Sequence, residues 1–119
     1  MAASKVNLSI QQGATFRKKI TWKTGTPATL VDLTGYTARM QIREEVVAEA
    51  VLIELSTANS RITLGGAAGT IELYLPPSVT EAIDWESGVY DLELVEPDGI
   101  NVVRLFEGSV TISPEVTRT

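Results

Sequence analysis

The fold is decided by residues 88–99, which read Gly-Val-Tyr-Asp-Leu-Glu-Leu-Val-Glu-Pro-Asp-Gly. From Tyr90 to Leu94, large apolar residues alternate with acidic ones. This period of two predicts a β-strand that buries one face and turns the other away from the core. Pro97-Asp98-Gly99 is a hairpin signal, so a second strand should return beside the first over Asn101–Ser113.

The same alternation recurs through much of the chain, which contains one helix signal. The capping-box pattern Ser78-Val79-Thr80-Glu81 predicts a short helix over Ser78–Ile83. Many short strands with frequent turns and one helix are typical of an all-β antiparallel sandwich of about 7–9 short strands. The further strand candidates are Lys5–Gln12, Thr15–Lys23, Tyr36–Arg43, Val51–Ser56, Arg61–Leu64 and Thr70–Leu75.

The return strand contains a conflict in its own pattern. Val103 and Leu105 share one parity, whereas Val110 and Ile112 share the other. An extra residue in the strand would place both pairs on the same face. We therefore predict a β-bulge, and Glu107-Gly108 is the favoured position because glycine tolerates bulge conformations.

Length and composition indicate a single domain. The 119 residues are 44% hydrophobic and 21% charged, which is typical of a folded globular chain. A domain of this size buries roughly two-thirds of the surface of its unfolded chain. We predict one sandwich domain over residues 1–113 and a short polar tail over residues 114–119, since Pro114 ends the last strand.

The residue types argue against catalysis. The chain has no histidine and no cysteine. It therefore cannot form a Ser-His-Asp catalytic triad, and it lacks the two residue types that most often bind zinc. The paired carboxylates Asp91 and Glu93 alternate with buried leucines, so we expect them on a solvated or interface face. The sequence thus predicts a protein that is not an enzyme and uses no cofactor or metal.

Charge and hydropathy also restrict the partners. The net charge of −5 opposes phosphate binding, and Arg17-Lys18-Lys19 is the only basic run. We expect no nucleic acid partner. No apolar stretch is long enough for a membrane span, and the N-terminus lacks the apolar run of a signal peptide.

Several apolar residues have no clear inward position in the strand pattern. Such residues can form a contact surface for a partner, or can be covered by a second sheet or the helix. Trp85 lies between two acidic residues and could be a core residue or a contact anchor. The candidate partner contacts are Val46, Val47, Leu52, Val79, Trp85, Asp91 and Glu93.

The order of turns and strands resembles a group of small tailed-bacteriophage and prophage proteins. It is also similar to the immunoglobulin-like N-terminal module of phage baseplate upper proteins, which anchors receptor-binding parts to the tail. The similarity covers nearly the whole chain. The segments that carry it are Gln12–Phe16, Asp32–Ala38, Gly88–Leu94, Pro97–Gly99, Glu107–Val110 and Pro114–Arg118.

The resemblance implies an immunoglobulin-like sandwich and a structural role in the virion. The protein would be made in the host cytoplasm and would act as a tail, baseplate or neck adaptor, or as a fibre-anchoring subunit. The baseplate proteins usually continue into fibre-forming segments, so a chain ending at Thr119 should act as a separate subunit. We expect other virion proteins as partners, and a homo-oligomer or symmetric array. A capsid decoration protein is the alternative, followed by a carbohydrate-binding module.

Overall fold

The structure, a computed structural model, describes residues 4–25 and 27–117. Residues 1–3, which belong to the predicted domain, and residues 118 and 119, which belong to the predicted tail, lie outside that part, as does residue 26. Over the described residues the chain forms eleven strands, one α-helix and one 3-10 helix. The elements are β1 (Ser4–Lys5), β2 (Leu8–Gln11), β3 (Phe16–Thr21), β4 (Lys23–Thr24), β5 (Thr29–Leu30), β6 (Thr37–Arg43), β7 (Ile53–Ser56), β8 (Ile62–Leu64), the 3-10 helix Gly66–Ala68, β9 (Thr70–Leu75), α1 (Pro77–Thr80), β10 (Ser87–Val95) and β11 (Val102–Ser113).

The strands form two main sheets, and the prediction of an all-β, sandwich-like fold is confirmed. Within the described residues the larger sheet has six strands in the order β1-β11-β10-β6-β7, with β2 also paired to β11. The smaller sheet has the order β3-β9-β8, and β4 and β5 form a separate ribbon. Pairing is antiparallel except where β1 and β2 run parallel to β11. The N-terminal segment therefore closes one edge of the larger sheet in a direction that alternation alone does not predict.

The core lies where the predicted inward faces meet. On β10, Tyr90, Leu92 and Leu94 are buried, as the alternation predicts. β10 lies between β6 and β11, so its inward side chains have neighbours on both sides. The buried apolar cluster also contains residues from β2 and β6 of the larger sheet and from β9 of the smaller sheet, including Ile10, Met40, Ile42, Ile71, Leu73 and Leu75.

The bulge predicted near Glu107-Gly108 exists, but it falls at Leu105 and not at the glycine. Leu92 pairs with Phe106 and Glu93 pairs with Arg104, so Leu105 has no partner across the ladder. Leu105 is buried and its neighbour Phe106 packs against the core, so two consecutive residues face inward. This arrangement reconciles the two parities of β11.

Gly108 has a different function from the one predicted. A Cβ atom at this position would lie 2.3 Å from the carbonyl oxygen of Val6, far inside the van der Waals contact distance. Glycine at residue 108 therefore lets the segment between β1 and β2 cross close to β11. The Tyr90 hydroxyl fixes the same segment by donating a 2.6 Å hydrogen bond to the Val6 carbonyl oxygen.

The helix is present, but it begins earlier and is shorter than predicted. It spans Pro77–Thr80, and its N-cap is Pro76 with no side-chain capping bond. The proposed cap, Ser78, is wrong because proline at the first helical position sets the helical φ angle and lacks the N–H that a cap would satisfy. The buried Thr80 hydroxyl donates to the Ala14 carbonyl oxygen at 2.8 Å and ties the helix to the turn before β3.

Substituting Tyr90 with phenylalanine tests the attachment of the N-terminal segment. At neutral pH the loss of one hydrogen bond should cost about 1 kcal/mol. Burial raises the pKa of Tyr90 from 10.0 to about 12. A tyrosine with a raised folded-state pKa stabilises the fold fully below the unfolded pKa, and this contribution is lost as pH rises towards the folded value.

Denaturation at a series of pH values should therefore show a wild-type stability that falls faster than that of Tyr90→Phe between about pH 10 and pH 12. The stability advantage of the wild type should narrow across this range and then reverse, because ionisation of Tyr90 in the unfolded chain is worth more free energy at high pH than the one hydrogen bond that Tyr90→Phe loses. If the stabilities of the two proteins changed in parallel with pH, this would contradict a buried, neutral Tyr90 hydroxyl that is bonded to the Val6 carbonyl oxygen.

Candidate interaction surfaces

The outer face of the larger sheet carries a network of charges across three strands. Asp91 and Glu93 point away from the core, as predicted, and each faces an arginine. Arg39 Nε lies 2.8 Å from Glu93 Oε1, and Arg104 Nε lies 3.6 Å from Asp91 Oδ2. Exposed ion pairs of this kind contribute up to about 1 kcal/mol each, so they order the face more than they stabilise the fold.

The surroundings of Asp91 disfavour its charge. Desolvation raises the pKa of Asp91, the repulsion from Glu93 raises it further, and the attraction of Arg104 lowers it. The face forms one side of an open groove of about 600 Å³ that also reaches Val46 and Lys5. Its carboxylates are engaged with arginines, which fits the predicted solvated or interface face; a partner contact by Asp91 or Glu93 stays a prediction.

The connection after β6 presents two valines to solvent. We call residues 44–48 the valine turn. The Ala48 N–H donates to the Glu45 carbonyl oxygen at 3.0 Å, which closes a β-turn with Val46 and Val47 at its corners. Each valine is 84% exposed. Both candidate contacts are thus accessible, although contact itself stays a prediction.

Arg43 fixes the shape of the valine turn. Its Nη1 donates to the carbonyl oxygens of Ala48 at 2.8 Å and Glu49 at 2.7 Å, and its Nη2 donates to Gln41 Oε1 at 2.7 Å. Two of these bonds hold loop carbonyls, and the third holds the guanidinium against Gln41 on β6. A loop fixed in this way is ordered before any partner arrives, which lowers the entropic cost of binding. Sequence reasoning missed Arg43, whose only signal was a long cationic side chain on the outward parity at a strand end.

Three other candidate contacts fit the covered alternative that the sequence left open. Leu52, Val79 and Trp85 are half-buried and pack against the core cluster. Contact with a partner by these residues stays a prediction. Leu52 and Trp85 keep part of their surface in a small groove beside Glu44, Glu45 and Glu86.

The acidic side chains at this end form no ion pair in the described part of the chain. Among the hydrogen bonds and ion pairs of the described residues, none involves the carboxylate of Glu44, Glu45 or Glu86. All three residues are exposed. The valine turn therefore has unpaired carboxylates beside its apolar tip, while the Arg43 guanidinium at its base is bonded to the carbonyl oxygens of Ala48 and Glu49.

The basic run lies on an edge strand of the smaller sheet. Arg17 pairs with Glu72 at 3.1 Å and lies 4.5 Å from the Tyr74 ring centroid. Lys18 and Lys19 are exposed. Within the described residues β3 has only β9 as a hydrogen-bonded neighbour, and β2 has only β11. The two free edges border a groove of about 460 Å³, lined by Leu8, Phe16, Lys18 and their neighbours, which we call the edge groove.

The hairpin after β10 uses its polar residues internally. Asp98 Oδ1 accepts hydrogen bonds from the N–H groups of Ile100 and Asn101, and these bonds lower the pKa of Asp98. Gly99 has φ of 73°, the left-handed conformation expected at the turn. Ile100 at the tip is 80% exposed.

Comparison with known proteins adds no relative. No protein-family model matches the chain, and no curated protein matches it. In the part of the chain that the structure describes, no helix has the length and apolar character to cross a membrane.

Proposed function

We propose that this chain is a non-enzymatic structural protein of a tailed-bacteriophage virion that acts through protein–protein contacts. Its place would be the tail, baseplate or neck, as an adaptor or a fibre-anchoring subunit. The resemblance of its turns and strands to phage proteins supports the virion part of the proposal. The observation that carries the contact role is the valine turn, an ordered loop with two apolar side chains at its tip.

The physical argument starts from the cost of exposing valines. Burying one valine side chain stabilises a contact by about 1.5–3 kcal/mol relative to leaving it in water. Two adjacent valines on a loop that Arg43 already orders would keep much of that gain. Virion subunits act in many symmetric copies, so a modest contact per copy is sufficient for a stable assembly.

A capsid decoration protein is the second candidate, because the same presented turn could clamp shell subunits. The aromatic residues disfavour the carbohydrate-binding alternative. Phe16 and Tyr90 are buried, and Tyr74 lies under the Arg17 guanidinium. Trp22, Tyr36, Trp85 and Phe106 pack against the core. A sugar-binding face needs aromatic rings free to stack, and these rings are engaged in the fold.

Antibody labelling of particles tests the proposal. Phage particles from a host that carries this coding sequence should be labelled with gold-conjugated antibody and imaged by negative-stain electron microscopy. Label on the tail, baseplate or neck is the expected result. Label on the shell would select the decoration role, and particles without label, or without the protein in their denatured mass spectrum, would overturn the virion assignment.

A further inference from the structure

Two surfaces of this chain, the valine turn and the edge groove, each combine apolar side chains with exposed charge, and the charges are opposite. The valine turn has apolar residues at its tip and the carboxylates of Glu44 and Glu45 beside them. The edge groove has Leu8 and Phe16 at its base and Lys18 at its rim. Lys19 follows on the same strand, so its side chain lies on the opposite face of the sheet, outside the groove.

We propose that the valine turn of one copy docks into the edge groove of a second copy. Val46 and Val47 enter the groove, and Glu44 and Glu45 meet Lys18 at its rim. This inference rests on the proposed structural role, and it names the second copy as the partner.

The ion-pair pattern explains why a second copy is the favoured occupant. Arg17 already holds Glu72, and the outer-face arginines already hold Asp91 and Glu93. The described ion pairs include neither the acids of the valine turn nor Lys18 of the groove. Unpaired charges of opposite sign on two surfaces of the same chain attract each other between copies. This attraction orients the two copies, and it weakens as the salt concentration rises.

The geometry makes the contact head-to-tail. The valine turn follows β6 on the larger sheet, whereas the edge groove lies between β2 and β3 at the open side of the sandwich. Because the two surfaces are different, each copy keeps a free turn and a free groove after the first contact. Such a heterologous contact closes into a ring or continues as a filament.

Sedimentation velocity of the purified full chain tests the contact. The wild type should grow in size with protein concentration, and the growth should diminish as salt is raised. Lys18→Glu and Glu44→Lys/Glu45→Lys should each weaken association by roughly tenfold or more, since like charges then face each other. Val46→Ser/Val47→Ser should weaken it as well. All these positions are exposed, so melting temperatures should stay close to the wild type.

Mixing provides the sharpest readout. Lys18→Glu keeps an intact turn and Val46→Ser/Val47→Ser keeps an intact groove, so an equal mixture should form one dimer and nothing larger, because the other turn lacks its valines and meets a groove of like charge. A single chain that carries Lys18→Glu, Glu44→Lys and Glu45→Lys should recover self-association. The matched control is Ile100→Ser, which removes a residue that is 80% exposed at the opposite end of β10 and should change nothing.

The outcomes separate the two proposals. A wild type that stays monomeric at its highest soluble concentration overturns the self-contact, as does association that neither charge variant weakens. If such a monomer still labels phage tails, the virion role stands and only the self-contact fails. If the chain associates as described but is absent from particles, the virion role fails alone.

Discussion

Leu92→Ala is expected to lower the free energy of unfolding by about 2–5 kcal/mol, as large-to-small changes in tightly packed cores do. Leu92 is fully buried on β10, where it pairs with Met40 on one side and Phe106 on the other. Both neighbouring backbones belong to sheet ladders, so they have little freedom to close the cavity. The loss should appear in urea denaturation as a lower midpoint with an unchanged slope.

Asp91→Ala is the matched control on the adjacent residue. Its side chain lies on the outer face, 3.6 Å from Arg104, and burial and Glu93 already oppose its charge. Removing it should therefore change stability by less than about 1 kcal/mol. Glu93→Ala should behave similarly in the isolated protein. Equal losses for Leu92→Ala and Asp91→Ala would mean that the two faces of β10 have been exchanged.

The alternation was enough to predict which residues form the core. A strand has only two faces, so the inward set of β6, β9 and β10 followed directly from the positions of large apolar residues. The hairpin at Pro97-Asp98-Gly99 was also predictable, because its turn depends on local backbone chemistry. The Gly65–Gly69 run, which reads as a loop, contains a 3-10 helix, and the carbonyls of Gly66 and Gly69 accept bonds from the N–H groups of Leu33 and Trp22.

Features set by distant neighbours were not predictable in the same way. Parity required a bulge in β11, but its position depends on how β11 meets Leu92 and Glu93 on β10. Gly108 suggested a bulge, whereas its reason is the approach of Val6 from the opposite end of the chain. The pairing direction of β1 and β2 likewise depends on a contact between residues about a hundred positions apart.

The candidate contact residues show the same difference between local features, which were predictable, and tertiary features, which were not. Val46 and Val47 lie in a loop closed by its own residues, and the sequence identified them as lacking an inward position. Leu52, Val79 and Trp85 raised the same signal, but they are half-buried against the core cluster. Whether an apolar residue outside the strand pattern is covered is a tertiary property, which is why the pattern alone left contact and coverage open.

Deletion of residues 1–12 is expected to unfold most of the protein at room temperature. The deletion removes β1 and β2, and with them the buried side chains of Leu8 and Ile10. Each is worth about 1.5–3 kcal/mol of burial, and the loss also leaves the Tyr90 hydroxyl without its Val6 acceptor. A typical domain has only about 5–15 kcal/mol of stability, so a loss of this size is a large part of the total. Circular dichroism and thermal melting measure it.

Deletion of residues 115–119 is the control at the other terminus, and it should leave the fold intact. β11 ends at Ser113, so no strand is shortened. The Glu115 N–H does donate to Gln12 Oε1 at 2.9 Å, and losing this bond should cost about 1 kcal/mol. The two termini thus differ, because the N-terminal segment contributes Leu8 and Ile10 to the core, whereas Val116 in the C-terminal segment is 90% exposed. A C-terminal deletion that unfolds the protein, paired with a silent N-terminal deletion, would mean that the parallel pairing of β2 with β11 does not hold the core together.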